Sequence, residues 1–199
     1  MTAPRTAFVF ATPMEAAPLV GALGPRAGAT ADTYDAGEFV IAVSGMGLAC
    51  AGAAVARLAA RGGLRRVVNL GIAGSLTRAL APGDLVQVGA VTSDAADADY
   101  LATTTLALVA PVAPCRARLI SRATPVFDAT LKARLSARAD VVDMEAHAIA
   151  EQCAPLDVEC VVLKSISDDA TDRAMLHANL ERASRRLADY VLAHLAELT

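Results

Sequence analysis

The sequence contains no tryptophan, and aromatic residues make up only 4% of its 199 residues. Its formal net charge is −3, and its isoelectric point lies near 5.6. Proteins that bind nucleic acid usually present a basic face, and those that hold single strands stack the bases on aromatic side chains. Because both features are missing, nucleic acid is not expected as a partner.

Long apolar runs are also missing, although 55% of the residues are hydrophobic. No run approaches the roughly 20 residues that a membrane-spanning helix needs. The apolar N-terminal stretch is interrupted by Pro13 and Glu15, so it predicts a first strand and turn and not a signal peptide. We therefore expect no membrane association and a cytoplasmic location.

Motifs for metals and for dinucleotides are absent. The four cysteines show no Cys-x-x-Cys spacing, and the three histidines are far apart. The cysteines lie in apolar contexts and are expected to be buried free thiols. No G-x-G-x-x-G fingerprint occurs, which disfavours a dinucleotide site. We expect neither a metal nor a cofactor.

Short apolar runs rich in branched residues predict strands at 7–12, 39–45, 66–74, 84–93 and 158–167. Most of them lack strict alternation, which is typical of strands buried on both faces. Helical patterns at 47–63 and 181–198 separate or follow them. The sequence thus predicts an α/β fold with a mixed, mainly parallel central sheet flanked by helices. No linker divides it, so a single domain over 1–199 is expected, with 94–130 as its least regular part.

Glycine-rich turns follow two of these strands, at "SGMG" (44–47) and "GIAGSL" (71–76). Ligands of parallel sheets bind beyond the carboxyl ends of the strands, where glycine lets them approach the backbone. The alternative is a tight turn with no ligand.

Acidic residues occur in two otherwise apolar segments, "VVDMEAHAIA" (141–150) and "SISDDATD" (165–172). Asp168 stands at the carboxyl edge of its strand, where sites are built, and Glu145 stands beside a second strand end. Asp143 is predicted to cap the following helix, and His147 to be a bystander. The alternative is that all these acids serve only as helix caps.

Four motifs occur in order: "NLGIAGSL", "PGDLVQVGAV", "VVDMEAHAIA" and "LKSISDDA". With them, the chain resembles the superfamily of purine nucleoside phosphorylases and methylthioadenosine/S-adenosylhomocysteine nucleosidases, from about residue 7 onward. The resemblance implies a nucleoside phosphorylase-like fold and cleavage of the N-glycosidic bond of a nucleoside. It also implies a homo-oligomer, and the high apolar fraction is in keeping with surface that needs covering.

The resemblance also implies roles for particular residues. Glu145 would hold the ribose hydroxyls, Met144 would pack against the sugar, and Asp168 would give a proton to the purine. The other predicted substrate-binding residues are Ala73, Gly74, Val126 and Ser167. The chemistry agrees, because a buried carboxyl keeps its proton and can act as an acid, while an ionised one accepts hydroxyl hydrogen bonds and favours an oxocarbenium-like state.

The sequence departs from that family at three positions. The water-activating Glu of the nucleosidases matches Ala17 in "TPMEAAPL", and Glu15 could substitute only if the turn is shifted. Ile72 stands where a Ser is usual. Asn69 stands where hexameric phosphorylases have a phosphate-binding Arg, and nucleosidases also have Asn at this position.

These departures leave three interpretations. The first is a nucleosidase that uses water and acts on a methylthioadenosine- or futalosine-like substrate. The second is a phosphorylase that uses phosphate. The third is a nucleoside-binding protein without catalysis. The missing Arg favours water, because a phosphate without a cation is costly to desolvate.

Overall fold

The computed structural model describes residues 5–28, 30–94, 102–107 and 116–199. Its strands are β1 (Arg5–Phe10), β2 (Arg26–Ala27), β3 (Thr33–Asp35), β4 (Phe39–Val43), β5 (Leu64–Ser75), β6 (Leu85–Asp94), β7 (Ala102–Ala107), β8 (Arg116–Arg122), β9 (Val141–Asp143) and β10 (Glu159–Asp168). Its helices are α1 (Pro13–Leu23), α2 (Leu48–Ala60), α3 (Ala129–Ser136), α4 (Ala146–Cys153), α5 (Arg173–Ala193) and α6 (Leu195–Leu198).

All of these strands belong to one mixed sheet. Its path runs β10-β6-β8-β9-β5-β1-β4-β3-β2, with β7 paired to β6. Strand β10 also pairs in parallel with β5, so five strands close into a ring in the order β5-β10-β6-β8-β9. Strands β1, β4, β5 and β10 run in parallel, and their carboxyl ends therefore open at one edge.

Helices cover both faces of the sheet. On β5, Val67 packs into the core beneath α2 and α4, whereas its neighbour Val68 packs beneath α1 and α5. On β10, Val162 and Val161 divide between the same two cores. Because successive side chains of a strand point to opposite faces, burial on both faces requires a continuous apolar run. This arrangement explains why the strands lack alternation.

The predicted α/β fold with a mixed sheet is confirmed, and each of the five predicted strands is present. Residues 94–130, expected to be the least regular part, contain β7, β8 and the start of α3, and residues 95–101 and 108–115 of this segment lie outside the described residues. Cys153 and Cys160 are buried as expected, whereas Cys50 is exposed, and Cys115 lies outside the described residues. Within the described part of the chain, no helix combines the length and apolar character needed to cross a membrane.

Candidate active site

A cavity of about 370 Å³ opens at the carboxyl ends of the parallel strands, between β5, β9, β10 and the N-terminal halves of α1 and α5. The fold brings all eight predicted site residues to its wall. They are Glu15, Ala73, Gly74, Val126, Met144, Glu145, Ser167 and Asp168.

Glu15 is fixed in the cavity wall by the start of α1. Thr12 is the N-cap of this helix, and its backbone N–H and hydroxyl donate to Glu15 Oε2 at 2.9 and 2.8 Å. The backbone N–H of Ile72 donates to the other oxygen, Oε1, at 3.1 Å. Glu15 is only 5% exposed. Ala17, in contrast, is exposed and does not line the cavity, so the carboxylate near this strand end comes from Glu15.

Gly71 leaves the space that Glu15 occupies. A Cβ atom at this position would lie 2.8 Å from Glu15 Oε1 and 3.5 Å from Lys164 Nζ. Real Cβ atoms essentially never show contacts below 3.0 Å, so a side chain at position 71 would displace the Glu15 carboxylate. Gly71, which lies within β5, therefore leaves room for this carboxylate against the backbone.

Glu145 lies at the junction of β9 and α4, where the backbone leaves the strand (φ −134°, ψ −38°). The backbone N–H of Gly47, in the first glycine turn, donates to Glu145 Oε1 at 2.7 Å. Burial, together with the nearby charge of Asp143, raises the pKa of Glu145 to about 7, against the opposing effects of Lys164 and the Gly47 N–H. Its carboxyl thus has one fixed acceptor oxygen and one oxygen free toward the cavity.

A fully buried lysine supports this corner of the cavity. Lys164 Nζ lies 2.8 Å from Asp143 Oδ2. Burial opposes its charge, but the carboxylates of Asp143, Glu145 and Glu15 outweigh burial and raise the pKa of Lys164. Lys164 therefore carries the positive charge that balances the carboxylates beneath the cavity.

Asp143 acts as the predicted cap, since the Ala146 N–H donates to its Oδ2 at 3.0 Å, and the Ser121 hydroxyl donates to Oδ1 at 2.5 Å. His147 is buried and does not line the cavity.

Sequence reasoning missed Lys164. The available signal was a charged residue inside the apolar run "VVLKSIS", in a chain with only two lysines.

Asp168 ends β10 and is only 2% exposed. The backbone N–H of Ala170 donates to Oδ1 at 2.8 Å, and the Ser167 hydroxyl lies 2.6 Å from Oδ2. Burial raises the pKa of Asp168, although both of these hydrogen bonds act in the opposite direction.

The Ser167 hydroxyl has one proton and two acceptors, because Ala73 O also lies within reach at 3.3 Å. When Asp168 holds a proton on Oδ2, that proton is donated to Ser167, which then donates to Ala73. Ser167 therefore accommodates both protonation states of Asp168.

The rest of the wall is mainly apolar. Its large apolar side chains are Met14, Met46, Phe127, Leu176 and Leu180, and the polar Thr12 and His177 also line it. Among the lining residues that the structure describes there is no lysine or arginine. Nor does the described part of the chain place three His, Cys, Asp or Glu side chains where they could share a metal ion.

Comparison of the sequence with protein families identifies its family. The model of the phosphorylase superfamily matches residues 20–137 and 96–196, which together cover most of the chain. The chain belongs to the phosphorylase superfamily. No curated protein matches the sequence significantly.

Solved structures of this superfamily share the fold. A 5′-methylthioadenosine/S-adenosylhomocysteine nucleosidase from Helicobacter pylori superposes with a TM-score of 0.88 at 20% identity, covering 99% of this chain and 100% of that one. A futalosine hydrolase mutant from the same organism also gives 0.88 at 20% identity, covering 98% and 99%. The nucleosidase from Colwellia psychrerythraea, in complex with adenine, gives 0.85 at 24% identity, covering 99% and 96%.

Proposed function

We propose that this chain hydrolyses the N-glycosidic bond of a purine nucleoside, with Asp168 as acid, Glu145 as ribose anchor and Glu15 as the base that activates water. The observation that carries the proposal is a cavity lined by these three carboxyl groups and that of Asp143, and by no described lysine or arginine. The similar nucleosidase and futalosine hydrolase structures support a methylthioadenosine- or futalosine-like substrate.

Glu145 positions the sugar. One of its oxygens is held by the Gly47 N–H, so the carboxylate presents its remaining lone pairs to the cavity in a fixed direction. Two vicinal ribose hydroxyls can donate to it. Its negative charge then stabilises the positive charge that develops on the ribose as the bond to the base stretches. Met144, beside it in the wall, packs against the sugar.

Asp168 protonates the leaving base. The C–N bond breaks with its electron pair going to the purine, and a ring nitrogen of the purine takes the proton from the Asp168 carboxyl. The raised pKa of Asp168, caused by burial, keeps that proton available at higher pH than an exposed Asp allows. General acids of this kind are worth about 10²- to 10⁴-fold in rate.

Glu15 supplies the base for water. Three donors orient its carboxylate, namely the N–H and hydroxyl of Thr12 and the N–H of Ile72. The water oxygen attacks the anomeric carbon and loses one proton to Glu15. Glu15 is thus proposed for the role that the family motif would have placed at Ala17, because the side chain at position 15 reaches the cavity and that at 17 does not.

The charge of the cavity favours water over phosphate. A phosphate anion would enter a wall with four carboxyl groups and no described lysine or arginine, and Lys164 is already paired with Asp143. Desolvating an anion there has no compensation. Water needs none.

The test is release of free base from a panel of purine nucleosides, with and without inorganic phosphate. We expect release without phosphate, and loss of at least about 100-fold in kcat for Asp168→Asn and Glu15→Gln. Release that requires phosphate would establish a phosphorylase. Binding without release over long incubation would establish a non-catalytic nucleoside-binding protein.

A further inference from the structure

The turn that follows β10 contains a strained backbone conformation. Ala170 has a φ of +58°, in the left-handed region that residues other than glycine seldom adopt, and its side chain is fully buried. Such a residue persists only where the surrounding contacts hold it. Because Ala170 lies two residues beyond Asp168, the contacts that hold this turn also bear on the proposed acid.

The peptide group between Asp169 and Ala170 is held at both ends. Its N–H, which belongs to Ala170, donates to Asp168 Oδ1 at 2.8 Å. Its carbonyl oxygen, which belongs to Asp169, accepts a hydrogen bond from Lys132 Nζ at 2.5 Å. Since a peptide group is planar, a contact that fixes its carbonyl also fixes the direction of its N–H. Lys132 and Asp168 therefore contact opposite ends of one rigid group.

Lys132 reaches this peptide group from α3, the helix that Asp128 caps. Its side chain is 19% exposed, and its ammonium also lies 3.8 Å from Asp169 Oδ2. The other oxygen of that carboxylate accepts hydrogen bonds from the hydroxyl and the N–H of Thr171, and the hydroxyl contributes most to lowering the pKa of Asp169. The ammonium of Lys132 is thus held between a backbone carbonyl and an ionised carboxylate.

We propose that Lys132 is a positioning residue for the acid Asp168, because it holds the 169–170 peptide group with its N–H directed at Asp168 Oδ1. The inference rests on the proposed function, in which Asp168 protonates the leaving base. Without Lys132, rotation of this peptide group by about half a turn relieves the strain, since it brings φ of Ala170 to a negative value. The same rotation takes the Ala170 N–H away from Asp168 and leaves the carboxyl group without a fixed orientation.

Lys132 also acts on the proton of the acid. Burial raises the pKa of Asp168 most, and the nearby charge of Asp169 raises it as well. The Ser167 hydroxyl, the Ala170 N–H and the charge of Lys132 act in the opposite direction. An ammonium that donates to a peptide carbonyl polarises the peptide group, which makes its N–H a stronger donor. Loss of Lys132 therefore removes its charge and weakens the N–H contact, and both changes raise the pKa of Asp168 further.

The experiment measures kcat, and kcat/KM as a function of pH, for base release by the wild type, Lys132→Met and Lys132→Arg. We expect kcat of Lys132→Met to fall about tenfold, because the acid is no longer held in one orientation. The limb of the pH profile on which the acid loses its proton should move to higher pH in this variant. Lys132→Arg, which still donates to a carbonyl, should restore most of kcat and the wild-type limb.

Arg78→Gln is the matched control. Arg78 is exposed and lines the same surface groove as Lys132, but it makes none of the hydrogen bonds described for the 168–170 turn. Its removal takes one positive charge from the groove and should leave kcat and the pH profile unchanged. An unchanged kcat in Lys132→Met, an equal loss in Arg78→Gln, or a limb that stays at the same pH would overturn the inference.

Nuclear magnetic resonance separates this inference from the proposed function. In protein labelled with ¹³C-aspartate, the Asp168 carboxyl signal is the one that Asp168→Asn removes, and its titration gives the pKa directly. If the wild type cleaves no nucleoside, the proposed function fails, and a higher Asp168 pKa in Lys132→Met than in the wild type or Arg78→Gln still supports the role of Lys132. If nucleosides are cleaved and this pKa is the same in all three proteins, the proposed function stands and the role of Lys132 is refuted.

Discussion

The substitution Glu145→Gln is expected to abolish sugar binding and, at the same time, to stabilise the fold. The pKa of Glu145 is raised by burial from 4.5 to about 7. Each pH unit of such a difference corresponds to about 1.4 kcal/mol, so keeping Glu145 ionised inside the protein costs about 3 kcal/mol of stability. Glutamine is close to isosteric, carries no charge, and can still accept the hydrogen bond from the Gly47 N–H.

The sign of the pH dependence follows from proton binding. Between pH 4.5 and about 7 the folded protein binds the Glu145 proton and the unfolded chain does not, so this group makes stability fall as pH rises. Below pH 4.5 both states hold the proton and the cost disappears. The gain from Glu145→Gln should therefore be about 3 kcal/mol at pH 8, about 1 kcal/mol at pH 5 and near zero at pH 4.

The assay is urea unfolding of the wild type and the variant at pH 5 and pH 8, with thermal unfolding as a second measure. In a chain of this length, 1 kcal/mol shifts Tm by about 2–4 °C. Glu181→Gln, which removes an exposed carboxylate of α5, is the control and should change little at either pH. A variant that is less stable than the wild type at pH 8, or whose gain is the same at both pH values, would refute the reasoning.

Three further expectations follow from the same contacts. For Asp168→Asn, we expect the Kd of a nucleoside to fall about tenfold per pH unit up to pH 7 and to level off above it, because the ribose hydroxyls are proposed to donate to ionised Glu145. Calorimetry between pH 5.5 and 8.5 tests this, and a Kd that does not change with pH contradicts it. Lys164→Met should lower the free energy of unfolding by about 3–5 kcal/mol, because it leaves the buried Asp143 without its cation. Lys132→Met, which removes a more exposed pair with Asp169, should lower it by less than about 1 kcal/mol. Equal losses in urea unfolding would argue against the buried pair. Gly71→Ala should lower kcat about 10- to 100-fold, because the new Cβ displaces Glu15, the proposed base. Gly89→Ala is the control and should leave kcat unchanged, because a Cβ there meets nothing closer than 4.0 Å. Steady-state kinetics measures both variants, with circular dichroism as a folding check.

Much of the site could be predicted because it depends on local sequence. Glu145 follows the end of β9 and Asp168 is the last residue of β10, and the order of their motifs identified the family. The capping box formed by Thr12 and Glu15 was also readable as a T-x-x-E pattern before an apolar helix. It would have favoured Glu15 over Ala17, because the N3 side chain of a capping box turns back toward the strand end.

Lys164 could not be placed in the same way. Its partner Asp143 lies 21 residues earlier, and the two strands that carry them, β9 and β10, are not neighbours but both pair with β5. Their contact depends on the closure of the five-strand ring, which no local pattern encodes. The contact of Arg173 with Phe127 has the same origin, since α3, β9, α4 and β10 separate these two residues along the chain.

The different roles proposed for the carboxyl groups follow from how much positive charge and how many hydrogen-bond donors lie near each of them. One buried lysine cannot neutralise four acids that share a cavity and its floor. Asp143 has the lysine and two further donors, and Glu15 has three donors, so the oxygens of both side chains have partners. For Glu145 and Asp168, burial destabilises the ionised form more than the hydrogen-bond donors stabilise it, so the pKa of each is raised. In the proposed reaction, a nucleoside that donates two hydroxyls to Glu145 would supply the missing donors for that group alone and favour its ionised form, whereas the raised pKa of Asp168 favours its proposed role as the acid.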